Sequence, residues 1–265
     1  MKEQNAIQQF RDTVYQSFEG RGDAALDLVD ALTSAVVVES PVALSESPLF
    51  RRLFSSVYDV LTEGEVEEET LRTAWYTHQP DNSETIAGYE VYGVDATPRP
   101  YAEAPTLPEG QFLKANARAA TQIGHKYSWV ARLVHWGTSW VAPQHIARIS
   151  DTSTDSATAA EQIQELDGQS THPKAVIGDS LYANQVFLAI FLVVKTVVAL
   201  VRLRGNRVLY EEPPPRQPHQ RGRTRKHGPK FKLSSPSRTP DHEVCFQIGR
   251  QRVHAQMWYG LHFYA

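Results

Sequence analysis

The sequence predicts an α/β protein in which helices flank a mixed sheet, with an all-α segment before the sheet and a partial β segment after it. Three observations predict this. Apolar residues recur at helical spacing up to the neighbourhood of Pro80. There the period drops to two, and Tyr and Val become frequent. From that point to Gly205, strand-like and helix-like runs follow in the order β-β-β-α-β-α-β, the pattern of a mixed sheet with helices packed on it. The expected boundaries are 1–80, 81–205 and 206–265.

The helical part reads in four or five pieces. "NAIQQFRDTVYQSF" spaces Ile7, Phe10, Val14 and Phe18 on one face, and "DAALDLVDALTSAV" does the same with Leu26, Val29 and Leu32. Ser40-Pro41 is a helix start, a capping hydroxyl followed by proline at the first helical position. "PLFRRLFSSVYDVLTEG" is a further amphipathic run stopped at Gly64. "EVEEETLRTAWYTH" places acids in its first turn, where they suit the helix dipole.

The strands follow. "IAGYEVYGVDATP" alternates, and "GHKYSWVARLVHW" and "SWVAPQHIARIS" are two more strands joined near Gly137. "STDSATAAEQIQELDG" is a helix with a polar face, ended by Gly168. "KAVIGD" is a short buried strand, "YANQVFLAIFLV" a helix and "TVVALVRLR" a last buried strand. The stretch after Gly205 is rich in proline and basic residues and reads as a loop or partly disordered excursion. The last part, from Glu243, is strand-like.

Composition excludes some classes. The 265 residues are 41% hydrophobic and 22% charged, ordinary for a soluble protein with a sizeable core. A single cysteine, Cys245, excludes an internal disulfide and fits a reducing compartment. The N-terminus lacks the apolar stretch of a signal peptide, and the run Val186 to Val201 is interrupted by Lys195 and short for a membrane span. The expected location is the cytoplasm, with no membrane partner. The net charge of −3 hides an asymmetry: residues 1–80 carry 6 basic and 14 acidic side chains, residues 206–265 carry 11 and 4. The basic end suits a polyanion; a basic solvated loop is the plainer alternative.

Two acids stand out. Asp95 and Asp179 each follow an apolar strand and precede a turn. Open α/β sheets bind ligands at the carboxyl ends of their strands. If the first and fourth strands are neighbours, the two carboxylates face each other, and a hard cation between them relieves their repulsion. Mg²⁺, which takes oxygen ligands, is the natural one. An acid in such a place also caps helices, and Asp179 before "SLYANQ" suits that role as well.

The chain resembles the DDE transposases of bacterial insertion sequences, which have a ribonuclease H-like core. The stretches that carry the resemblance are "FRDTVYQSF", "LFRRLFSSVYDVL", "YGVDATPRP", "IGHKYSWVARL", "VIGDSLYAN", "VALVRLRGNRVLY" and "RTRKHGPKFKL", in the family's order and across nearly the whole chain. The resemblance implies that Asp95 and Asp179 are the first two catalytic acids and bridge two divalent ions, Mg²⁺ or Mn²⁺. It implies metal-dependent cleavage and strand transfer of transposon DNA ends, with double-stranded DNA and a homodimer among the expected partners.

The family's third acid is a glutamate on a helix after the last core strand. Glu211 and Glu212 run into Pro213-Pro214-Pro215, where no helix continues, and Glu243 lies in strand-like sequence. None fits, so the expectation is a C-terminally truncated transposase, inactive on its own. The alternatives are a DNA-binding remnant that competes with an intact enzyme, and a nuclease working with two acids. Arg202 and Arg204 at the end of the last strand, and Arg221, Arg223, Arg225, Lys226, Lys230 and Lys232 in the basic stretch, are the expected contacts to DNA phosphates. His125 near the second strand's start, and Trp136, Trp140 and Trp258, suit packing better than chemistry. The helical segment carries no clear helix-turn-helix signature.

Overall fold

The computed structural model describes residues 2–38, 40–78, 85–101, 104, 106–114, 120–136, 139–167, 172–219 and 221–264. The chain begins with α1 (Lys2–Gln16), β1 (Phe18–Glu19), α2 (Gly22–Ser34), α3 (Pro41–Ser45), α4 (Ser55–Glu63), β2 (Glu65–Val66) and α5 (Glu68–Thr77). Ser40 caps α3, its Oγ accepting from the Ala43 N–H at 3.1 Å. Glu68 and Glu69 lie in the first turn of α5. Leu28, Ala31, Leu44, Phe50 and Val57 form the buried cluster of this segment.

Two expectations change here. The segment is not wholly helical, because β1 pairs antiparallel with β2. Gly20 and Arg21 take φ of 70° and 52°, which breaks the chain between α1 and α2 and frees the ribbon to form. The run from Pro48 to Gly64 is helical only over Ser55–Glu63. Tertiary contacts override its periodicity: Phe50 is drawn into the cluster, and Arg51 and Arg52 pair with the buried Asp27 at 2.8 and 3.3 Å.

The sheet follows: β3 (Glu90–Pro100), β4 (Gln111–Leu113), β5 (Gln122–Trp136), β6 (Ser139–Ile149), α6 (Asp155–Asp167), β7 (Lys174–Gly178), α7 (Gln185–Val193) and β8 (Val197–Val201). Apart from the short β4, this is the expected order. The turn expected near Gly137 and the helix stop at Gly168 lie outside the described residues. Strand order is β4-β5-β3-β7-β8, with β6 also on β5. β3 is antiparallel to β5 and parallel to β7, and β7 is parallel to β8, so the sheet is mixed.

One face of the sheet is covered. Tyr92, Val94, Val130 and Val176 pack against Ala159, Ala160, Ile163 and Leu166 of α6 and Phe187 of α7. The polar face expected of α6 is partly inside: Gln162 is buried, accepting from Ser128 Oγ at 2.6 Å. On the other face Ile177, Val198 and Leu200 are exposed. The apolar run expected to be buried is therefore only half so. α7 buries Phe187 and leaves Val186, Leu192 and Val193 in solvent. Among the described residues no helix is long and apolar enough to cross a membrane.

The remaining strands are β9 (Val208–Glu211), β10 (Lys230–Lys232), β11 (His242–Ile248), β12 (Gln251–Met257) and β13 (Leu261–His262). β9 sits between β10 and β13, and β11 and β12 form a hairpin. The excursion after Gly205 thus contains strands where a loop is expected. Leu209 and Phe231, opposite each other and buried, hold β9 to β10.

Ile163 is fully buried between α6 and the sheet. Ile163→Ala should cost about 2–5 kcal/mol, read from the urea midpoint at unchanged slope.

Candidate functional site

β3 and β7 pair with Glu90 opposite Lys174, Val91 opposite Ala175, Tyr92 opposite Val176 and Gly93 opposite Ile177. Asp95 lies two residues beyond the last pair on one strand, and Asp179 two residues beyond it on the other. Asp95 is still within β3, on the side of Gly93, while Asp179 is already past the end of β7. The pairing brings both acids to the same end of the parallel ladder. Both are exposed. Among the described residues, neither carboxylate forms an ion pair.

Asp95 does not end its strand. β3 continues to Pro100 because β5 goes on pairing with it, Asp95 opposite Trp129 and Pro100 opposite Gly124. What ends there is the parallel ladder, since β7 stops at Gly178.

Asp179 opens a tight turn. Its Oδ1 accepts the Leu181 N–H at 2.7 Å. The cap of α7 is Asn184, whose Oδ1 accepts from Phe187 N at 3.1 Å. Asn184 Nδ2 also donates to Ser156 Oγ at 2.5 Å and to the Leu181 carbonyl at 2.7 Å, tying the turn to α6. Asp179 is thus not the helix cap, and its turn bond occupies one carboxylate oxygen.

Tyr182 packs inside this turn. It is fully buried, its ring 5.0 Å from Phe187, and its hydroxyl has no hydrogen-bond partner among the described residues. Burial, and then the charges of Asp95, Asp155 and Asp179, push the phenol far above its ordinary range, so it remains a donor. Asp155, in the first turn of α6, pairs with Lys126 at 2.5 Å.

Three arginines surround the turn. The Arg202 N–H donates to the Gly178 carbonyl at 3.2 Å. Arg204 Nε donates to Ser180 Oγ at 3.5 Å. Arg207 Nη2 donates to the Ala183 carbonyl at 3.0 Å and lies 5.7 Å over the Phe263 ring, joining the last strands to the site. Farther along, Arg221, Arg223, Arg225, Lys226, Lys230 and Lys232 are all exposed. Arg216 closes the basic loop through Thr224 Oγ1 at 3.3 Å and the Gly222 carbonyl at 3.2 Å. Lys230 and Lys232 flank the buried Phe231, so both point away from the β9 core.

Two exposed acids at the end of a parallel ladder, with arginines by the turn of the second, are one observation; the match across the chain is another. The family model for the DDE superfamily endonuclease covers residues 13–262. The chain belongs to this family. No curated protein matches it. Enzymes of the superfamily act on nucleic acid and typically use divalent metals.

In this DDE endonuclease the two exposed carboxylates, hard oxygen donors without a basic partner, suit a divalent cation. They are a partial set. Among the described residues no three acid, histidine or cysteine side chains are gathered to hold an ion. Glu211 accepts from Ser237 at 3.0 Å, and Glu243 from Gln256 at 2.6 Å, both within the last strands. His125 contacts the Pro108 carbonyl at 3.0 Å and packs against Tyr101 and Tyr127. Trp258 donates to the Arg238 carbonyl at 3.2 Å and packs on Phe231. The side chains of Trp136 and Trp140 lie outside the described residues.

Sequence reasoning missed Tyr182, Asp155 and Arg207. Only the folded turn marks them, although "GDSLYAN" hints at Tyr182 by its spacing from Asp179.

Asn184→Ala removes the cap of α7 and the ties that hold the Asp179 turn. It should cost about 1 kcal/mol of stability by chemical denaturation.

Proposed function

We propose that this DDE endonuclease is a transposase-type enzyme that cuts and joins double-stranded DNA ends, with Asp95 and Asp179 holding a divalent cation, Mg²⁺ or Mn²⁺. The β3–β7 pairing, which brings the two acids to one end of the parallel ladder, is the observation that carries this reading. When bound, the cation supplies charge stabilisation at the phosphoryl oxygens. Asp95 and Asp179 supply oxygen ligands from one end of the parallel ladder. Arg202 and Arg204, on the strand end next to Asp179, hold the phosphate backbone near them. The arginines and lysines from Arg221 to Lys232 bind DNA through phosphates, independently of sequence. Joining two transposon ends calls for two copies, so a homodimer on DNA belongs to the reading.

A second reading is favoured by the count of acids. Among the described residues fewer than three ligating side chains are gathered, and such a partial set binds a cation weakly, so turnover by these residues alone is low. On this reading the chain binds DNA and competes with a complete enzyme without cleaving.

The test is nicking of supercoiled plasmid in Mg²⁺ or Mn²⁺. Asp95→Asn and Asp179→Asn should each abolish it while DNA retention is unchanged. Nicking that survives either change removes the carboxylate reading; binding without nicking by the unaltered chain favours the competitor.

Replacing Arg221, Arg223, Arg225 and Lys226 together by Ala should weaken binding to all duplexes alike. A plot of log affinity against log salt should flatten by about 0.9 for each phosphate that the altered loop no longer neutralises.

A further inference from the structure

The basic stretch after Gly205 encloses a cavity. It has a volume of about 250 Å³ and is lined by Pro214, Pro215, Arg216, Arg223, Thr224 and Arg225 among others; none of the described residues that line it is an acid. Proline fixes its own φ, so the Pro214–Pro215 wall is stiff. Gly222, at φ 98°, lets the chain turn back. Arg216 closes the loop, donating from Nη1 to Thr224 Oγ1 at 3.3 Å and from Nη2 to the Gly222 carbonyl at 3.2 Å. Three guanidiniums therefore border one space. Among the described residues, Arg223 and Arg225 have no ion-pair partner. The acids just before the prolines are engaged elsewhere: Glu211 accepts from Ser237 Oγ at 3.0 Å, and Glu212 lies 4.0 Å from His262 Nδ1. Like charges gathered without a carboxylate repel one another, and an anion between them relieves that repulsion.

Shape and charge select the anion. Guanidiniums match phosphate oxygens with paired hydrogen bonds. The cavity is smaller than the roughly 300–1,000 Å³ of pockets that hold drug-sized ligands, so it admits one nucleotide-sized group at most. A duplex does not enter, its major groove alone being about 12 Å wide. A phosphate inside a strand, flanked on both sides and by the second strand, stays at the rim, whereas a strand end can enter. A terminal phosphomonoester also carries about −1.5 to −2 charges at pH 7, more than the single charge of a phosphodiester. We propose that the cavity of Arg216, Arg223 and Arg225 binds the terminal phosphomonoester of a DNA strand end. The inference rests on the reading of this chain as an enzyme that cuts DNA and adds a site to it. Hydrolysis of a phosphodiester adds the oxygen of water to phosphorus, breaks one P–O bond and passes a proton to the leaving oxygen. One new end is a hydroxyl and the other a phosphomonoester, the group that the cavity holds.

The experiment measures, by fluorescence anisotropy, binding of the full chain to short duplexes of one sequence that end in 5′-phosphate, in 3′-phosphate or in hydroxyl groups only. Divalent cation is left out, so nothing is cut, and the ionic strength is fixed. A phosphate at one of the two positions should tighten binding about tenfold over hydroxyl ends. Changing Arg223→Ala and Arg225→Ala together should bring that ratio within twofold. Arg221→Ala, in the same loop but outside the cavity lining, should weaken binding to every duplex alike and keep the ratio. Phosphate and hydroxyl ends bound within twofold by the unaltered chain overturn the inference and leave duplex binding standing. A preference that survives in R223A/R225A overturns it too, and so does one lost equally in R221A, which then belongs to the total charge of the loop. If inorganic phosphate equimolar with the duplex abolishes the preference, the cavity takes free phosphate and the strand-end assignment is overturned. If the unaltered chain binds no duplex at all, the DNA reading and the inference fall together.

Discussion

The parallel pairing of β3 with β7 is the constraint on which the rest of the structure depends. It joins residues far apart in sequence through four rungs, from Glu90 opposite Lys174 to Gly93 opposite Ile177. Core packing holds its register. Tyr92, Val94 and Val176 must face α6 and α7 to be buried. The period of two then sends Gly93, Asp95 and Ile177 to the other face. A slip of one residue would expose Val176 and shift Asp179 along the ladder relative to Asp95. Apolar burial on one face thus sets how the two strands line up at the end where the acids follow.

The first helices are fastened to the sheet by a polar joint. Arg72 of α5 pairs with Glu165 of α6 and Glu69 of its own helix, and meets His145 of β6 at 3.2 Å. Burial and then the Arg72 charge hold the His145 pKa below its ordinary value, so the ring stays neutral beside the guanidinium. A cavity of about 290 Å³ lies along this seam, lined by Leu71, Trp75, Pro143 and Ile146 among others. The acidic first part of the chain is therefore bound to the strand farther from the Asp95–Asp179 ladder, while Arg207 brings the basic last part to the turn that carries Asp179.

Much of the fold was legible where a residue's environment depends on its near neighbours. Ser40 before Pro41, the acids at the start of α5 and the stop at Gly64 are local signals, and each marks a helix end in the structure. The order of core strands and helices follows from the change of period. Reading failed where distant partners decide. Phe50 leaves its amphipathic run for a core contact, and Val208–Glu211 becomes a strand because Phe231 and Leu209 bury each other. Asp179 and Asn184 both suit a cap, and only the folded turn assigns that role to Asn184.

By itself the sequence determined the α/β class, the alternation of strands and helices, the two acids after apolar runs and the basic last part. These depend on composition and periodicity, which act within a turn or a strand. Tertiary structure alone decided that the strands of Asp95 and Asp179 are neighbours, parallel and in a register that brings both acids to one end of the ladder. It also decided that Tyr182 is buried in the turn that follows Asp179. Pairing between strands about 80 residues apart is chosen by the burial of a whole face at once, and no local window of sequence carries that choice.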